Sequence, residues 1–293
     1  MNHSGTTAAT PALLPDWGAL RVSGEDAAAF LQGQATTDVL ALEPGQIGCG
    51  AFCSPKGRVI ANFRIGRQEQ GFVLFMSADL IEPLSRRLQM YVLRSRVKLE
   101  NLAGQAAVAG AFETSDTPEH PGEWTESWAL SDGSGRRIGL LPLDGSIHPE
   151  NESRLAAAWE LSDIASGFAR ITSTTREEFL PQMLNLDWLG GIGLEKGCYT
   201  GQEIVARTHY LGQLKRRLFR FSLAGKTAPA SGTALTTATG DNPAAGQVVN
   251  ARADGNGHIH GLAVMTLEAA EGHALLLVDA QGPRIQIDAL NPA

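Results

Sequence analysis

The spacing of apolar and polar residues changes several times along this chain, and each change predicts an element. Leu20 to Val22 reads as a strand, and the SGEDAAAFLQGQ run after it as a short helix that buries Ala27, Phe30 and Leu31 and closes at Gly33. From Gly45 to Gly66 two strand-like runs flank Ser54-Pro55-Lys56-Gly57, whose Pro and Gly suit a turn, so a hairpin is expected. Phe72 to Met76 adds a strand. Ser77 then offers a cap to a helix from about Asp79 to Tyr91, with Leu80, Leu84 and Leu88 on one stripe and Pro83 in the first turn. Leu93 to Leu99 alternates like a further strand.

A second set of elements follows. Val108 to Phe112 and Arg137 to Leu143 read as strands, separated by a polar, Pro-rich surface loop from Thr114 to Glu126. Asn151 to Ile164 is helical by pattern, with Leu155, Ala158, Trp159 and Ser162 on one face and Gly167 just past its end. Beyond Arg216 the period shortens. Leu218 to Leu223, Gly246 to Ala251, Ile259 to Met265, Ala274 to Val278 and Arg284 to Ile287 read as short strands divided by turns such as Asp254-Gly255-Asn256-Gly257. This tail predicts a small antiparallel barrel. The opening MNHSGTTAATPALLP reads as a loose tail that ends near Asp16.

Composition narrows the class. At 293 residues, 43% hydrophobic and 19% charged, the chain has the balance of a globular protein with two or three domains. Its net charge of -7 argues against wrapping nucleic acid by general electrostatics. Three cysteines, Cys49, Cys53 and Cys198, lack zinc-type spacing, and no secretory segment precedes them, so a reducing cytoplasm is expected and no metal site. Apolar runs such as Ala274 to Val278 are far too short to cross a bilayer.

The run KGCYTGQE, Lys196 to Glu203, carries the candidate chemistry. Thr200 and Glu203 have capping-box spacing, which places Cys198 just before a helix start, where the macrodipole and the Lys196 ammonium would favour a thiolate. Cys198 reads either as such a thiol or as a small residue filling a tight loop, and Lys196 either as an anion contact or as a solvated charge. Glu203 could bind a ligand or close the cap, and the cap is the simpler role. Cys49 and Cys53, about 13 Å apart on an extended strand, read as structural. Arg94, Arg96 and Lys98 on one strand face, and Lys215 to Arg217, read as solvated cations, and His209 as a helix C-terminal residue.

KGCYTGQE followed by IVAR, the opening WGALRVSGEDAAAFLQGQATTDV and the hairpin SPKGRV together resemble the YgfZ family, folate-binding proteins built like the aminomethyltransferase (GcvT) of the glycine cleavage system. The resemblance implies an α+β fold: a GcvT-like ring of two related α+β modules with a C-terminal antiparallel β-barrel. The expected division is a flexible tail at 1–14, modules at 15–107 and 108–215, the second carrying KGCYTGQE, and the barrel at 216–293. It implies tetrahydrofolate as cofactor, with Trp17, Trp159, Tyr199, Gln202, Glu203 and Arg207 as binding residues and Lys196 and Cys198 as the functional pair. A flat pterin ring stacks well on an indole. The implied role is accessory: iron–sulfur cluster assembly or repair, with transient cluster contact, for enzymes such as a tRNA methylthiotransferase. Direct nucleic-acid and membrane contacts are not expected. True aminomethyltransferases carry an essential aspartate at a position that matches near Pro83 here, with Asp79 the nearest carboxylate. Turnover is therefore left open, with a folate-dependent aminomethyltransferase or demethylase as the alternative and a scaffold without folate as a third reading.

Overall fold

The computed structural model describes residues 11–112, 124–143, 152–212, 214–237, 245–272, 275–277, 282–288 and 290. Among these, one compact unit draws on Met1–Ala27, Leu42–Gly48 and Arg64–Trp159, and a second on Ala28–Ala41, Cys49–Phe63 and Glu160–Ala293. In chain order the first elements are β1 (Ala12–Leu13), β2 (Trp17–Ser23), α1 (Ala27–Gln32), β3 (Ile47–Cys53), β4 (Val59–Gln68), β5 (Gly71–Ser77), α2 (Ala78–Val92) and β6 (Lys98–Asn101). Then come β7 (Ala106–Phe112), β8 (Glu126–Ala129), β9 (Arg136–Pro142), α3 (Glu152–Ser166), a 3-10 turn (Pro181–Leu184) and α4 (Gln202–Tyr210). The last are β10 (Arg216–Ala224), β11 (Ala234–Thr237), β12 (Gly246–Ala253), β13 (His258–Thr266), α5 (Leu267–Gly272), β14 (Leu275–Leu277) and β15 (Gln286–Asp288).

Three sheets organise these strands, in the orders β3-β4-β5-β2-β6, β1-β7-β9-β8 and β14-β11-β12-β13-β10-β15. In the first sheet, β5 is an apolar run buried along its whole length, paired antiparallel to β2 from Trp17 opposite Ser77 to Ser23 opposite Gly71. The amphipathic α2 buries Leu80, Ile81, Leu84, Leu88 and Val92. In the third sheet every described pairing is antiparallel, and Phe221, Leu235, Val248, Ala263 and Met265 form one buried cluster. A register shift between Val248 and Asn250 turns the Asn250 amide onto Arg170, which donates its N–H to Oδ1 (2.7 Å) and accepts from Nδ2 (2.9 Å). Asn62 does the same, donating to Ala169 O and accepting from Ile171 N–H. Two side-chain amides thus satisfy the backbone of Ala169 to Ile171, which a strand partner would otherwise do.

Several expectations need correction. The chain is already a strand at Ala12 and Leu13, paired with Gly110 and Ala109, because Ala12 and Leu14 are apolar enough to be buried. Ser77 stands at the α2 cap without a side-chain capping bond, and the helix starts at Ala78, so Pro83 is its sixth residue rather than a first-turn one. There it removes a bond that Asp79 O would otherwise accept. The strand expected at Leu93 to Leu99 begins only at Lys98, since Leu93 leaves α2 at φ 46°. Arg94, Arg96 and Lys98 are nonetheless exposed, as expected of solvated cations, with Arg96 paired to Glu25 (2.5 Å) and Lys98 to Glu100 (3.1 Å). Among the described side chains of α3, Trp159, Asp163 and Ile164 are buried, whereas Leu155, Ala158 and Ser162 are half-buried. Residues 114–123 of the expected surface loop, Asn151 of the expected helix, and Ala274 and Val278 lie outside the described residues.

Trp159 is the largest fully buried side chain among the described residues, and it depends on Gly110 of β7. A Cβ at Gly110 would stand 2.4 Å from the indole Cε3. Gly110→Ala should therefore lower stability by about 1–3 kcal/mol, the usual cost of overpacking. A urea midpoint within error of the wild type would show that the indole has room to move.

Candidate functional site

KGCYTGQE lies in the second unit, in the loop that leads into α4. Lys196 does not face solvent. Its Nζ donates to Ala35 O (2.8 Å) and Thr37 O (2.7 Å), and it lies 5.1 Å from the centre of the Tyr199 ring. Burial drives the amine down to about 8, against the pull of the Asp38 carboxylate. The same loop is tied to that stretch at Thr36, whose O accepts from Gly193 N–H (2.8 Å) and whose hydroxyl donates to Gly191 O (2.6 Å). Lys196 is thus a buried tether. Its charge is spent on two carbonyls, which corrects its expected role beside the Cys198 thiol.

The other end of the loop seats on the Ser54-Pro55-Lys56-Gly57 turn. In that turn Gly57 N–H donates to Ser54 O and Ser54 N–H to Arg58 O, both 2.8 Å, with Gly57 at φ 71°. A Cβ on Gly201 would meet Ser54 O at 2.5 Å, and one on Gly57 would meet Ile204 Cβ at 2.9 Å. Two glycines therefore set the approach of signature to hairpin. Gly201, at φ 83°, is also the residue before α4, and no side-chain capping bond forms there. The expected Thr200–Glu203 capping box is replaced by a Tyr199–Gln202 exchange: Gln202 N–H donates to Tyr199 O (3.1 Å), and Tyr199 N–H to Gln202 Oε1 (3.3 Å). Glu203 and Arg207 are left exposed on α4, and Cys198 is exposed in the loop before it. Tyr199 is buried, which pushes its phenol well above the ordinary value.

Of the other two cysteines, Cys53 is buried and Cys49 half-buried. Cys49 Sγ donates to Leu189 O (3.3 Å), and burial pushes the Cys53 thiol up to about 12. Among the described residues no group of His, Cys, Asp and Glu stands ready to hold a metal.

Trp17 and Trp159 belong to the first unit, where the Arg64 guanidinium stands 5.3 Å and 5.8 Å from their ring centres. Arg136, fully buried, lies 4.6 Å from the Trp159 ring and pairs with Asp132 (2.8 Å), and Phe112 meets that ring edge-on. Sequence reasoning missed both arginines, which carry no local motif. With Trp159 1% and Trp17 6% exposed, these indoles are covered by the protein's own groups and do not fit the stacking slot expected for a pterin ring. The Trp159 Nε1–H, buried and without an acceptor among the described residues, remains a donor for a polar atom. Gln202, Glu203 and Arg207 offer the amide, carboxylate and guanidinium that suit the polar edge and glutamyl tail of a folate.

Comparison with known proteins bears on this geometry. No protein-family model matches the chain. The tRNA-modifying protein YgfZ of Hamiltonella defensa is 32% identical over 247 residues, 77% of this chain and 74% of that protein. The protein of the same name from Vibrio vulnificus (strain YJ016) is 32% identical over 270 residues, 86% of this chain and 83% of that one. The chain belongs to the YgfZ family. Its fold is also that of the glycine cleavage system aminomethyltransferase T from Bartonella henselae, with a TM-score of 0.71 at 15% identity over 97% of this chain and 85% of that one. Of the basic residues Lys215 to Arg217, Arg217 pairs with Asp187 (2.7 Å) and stacks 4.0 Å from the Trp188 ring centre, whereas Lys215 is exposed. His209 lies in the last turn of α4 as expected, edge-on to Tyr210. No helix among the described residues is long and apolar enough to cross a membrane.

Gly201→Ala should destabilise by about 2 kcal/mol, by overpacking on Ser54 and by backbone strain. Cys198→Ala, at an exposed position, should stay within about 0.5 kcal/mol of wild type. Equal urea midpoints for the two variants would remove the interlock.

Lys196 makes a separate pH prediction. The folded amine titrates near 8 against an ordinary 10.5, so between those values the unfolded chain holds more protons and stability rises with pH. The urea midpoint of wild type relative to Lys196→Met should therefore climb between about pH 8 and 10.5. A flat difference would place the amine at its ordinary value.

Proposed function

We propose that this chain is a tetrahydrofolate-binding accessory protein of tRNA modification, supporting iron–sulfur enzymes such as a methylthiotransferase, with Cys198 as its working group. The observation that carries this reading is an exposed thiol on a loop fixed at both ends, by the Lys196 tether and by the Gly57–Gly201 approach, in a family whose relatives are named tRNA-modifying proteins. A soft thiolate suits iron of a cluster in transit, which is cargo here rather than a resident cofactor. Because the loop is held at both ends, the ordering cost of presenting Cys198 at each encounter is reduced. Folate, when bound, supplies one-carbon chemistry. On this chain Glu203 and Arg207 would hold it through hydrogen bonds to charged groups, with Gln202 beside them. The arrangement of two related α+β modules around an opening, closed by a C-terminal barrel, is part of the same proposal.

Aminomethyl transfer is the weaker reading. The position matched to the transferases' essential aspartate falls near Pro83, and Asp79 is exposed in the first turn of α2.

Replacing Cys198 by Ala should lower methylthiolated tRNA several-fold in cells while protein level and urea midpoint hold. Unchanged modification would sink the thiol's role. Arg207→Ala should weaken tetrahydrofolate binding about tenfold, the loss of one charge-assisted hydrogen bond of about 1.5 kcal/mol. Absence of any saturable folate binding to the wild type would remove the cofactor from the proposal.

A further inference from the structure

We infer that the C-terminal end of α4 is a docking surface for a protein partner, formed by the apolar pair Tyr210–Leu211 within a cationic rim, and that the partner presents an apolar side chain flanked by carboxylates. The inference rests on the accessory reading above and names the surface through which that role would be exercised.

Glu203, Arg207, Tyr210 and Leu211 follow the i, i+4, i+7, i+8 spacing of one helix face, and all four are exposed. The solvent face of a helix is ordinarily polar along its length. Here it is polar at its start and apolar at its end, where Tyr210 is 64% and Leu211 85% exposed. The helix itself does not require them. Its inner face is supplied by the fully buried Val205, and its end is closed by Leu211 N–H donating to Arg207 O (2.9 Å), a backbone bond that other residues would make equally well.

The charge that flanks the pair along the chain selects the partner. Ile204 to Arg217 holds Arg207, Lys215, Arg216 and Arg217 without one carboxylate, on a chain of net charge -7. Arg217 is neutralised by Asp187, whereas Arg207 and Lys215 are exposed. A positive rim on an otherwise acidic protein attracts an acidic rim and repels further copies of this chain. Adjacent large apolar side chains inside a charged border are the anatomy of a protein interface. Tight binding to a nucleic-acid backbone draws on more phosphate contacts, about 6–10. The same face leads back along nine helical residues, about 13 Å at 1.5 Å per residue, to the loop that carries Cys198.

The test uses the full chain and a purified tRNA methylthiotransferase, with binding followed by biolayer interferometry at several salt concentrations. Leu211→Ser and Tyr210→Ser should each weaken binding at least about tenfold, the size of an interface anchor. Lys215→Glu should slow association and flatten its salt dependence. Leu211→Ser should keep the wild-type urea midpoint and folate affinity. Wild-type affinity in Leu211→Ser overturns the inference, as does the absence of measurable binding by the wild type. So does finding that the pair instead mediates self-association by light scattering or binding to tRNA. The accessory reading is separated by Cys198→Ala in the same cells. If that variant loses tRNA methylthiolation while Leu211→Ser retains it, the reading stands and the docking surface falls; if both retain it, both fall.

Discussion

Two absent Cβ atoms govern the candidate site. With hydrogen alone at Gly57 and Gly201, the hairpin turn and the signature loop approach until backbone touches backbone, and α4 starts from that contact. At the other end of the loop a charged side chain supplies the restraint: Lys196 bridges the carbonyls of Ala35 and Thr37. Between these anchors, Gly197 and Cys198 are exposed while Lys196 and Tyr199 on either side of them are drawn inward.

How much of this was legible depended on how local the cause was. The hairpin, the α2 stripe, the short helix closing at Gly33 and the antiparallel strands beyond Arg216 follow from periodicity and turn residues, and the structure has them. The capping box did not form, although Thr200 and Glu203 have its spacing. The spacing records a local option, and the close seat of Gly201 on Ser54 selected a left-handed backbone instead. Lys196 was misjudged for a related reason. Its acceptors lie about 160 residues earlier, where no reading of neighbours would look.

The tryptophans teach a different lesson. Trp17 and Trp159 do lie around one group, but that group is Arg64 of the same chain. A guanidinium over an indole satisfies the electrostatics of the ring face that a flat heterocycle would have used. Sequence identifies an aromatic platform more readily than it identifies what stands on it. Arg136, wholly buried against the same ring and paired with Asp132, shows the same economy of cation and ring inside a core.

The Lys196 tether also bears on how the chain matures. Ala35 and Thr37 are synthesised about 160 residues before the lysine that covers their carbonyls. At about 5–20 residues per second, that is roughly 8–32 s on the ribosome. For that interval the segment between α1 and β3 has no lysine to bind, and the SPKG turn has no glycine loop to receive. The loop can therefore seat only after Lys196 and Gly201 have emerged, and the register of the Cys198 thiol is fixed no earlier than that.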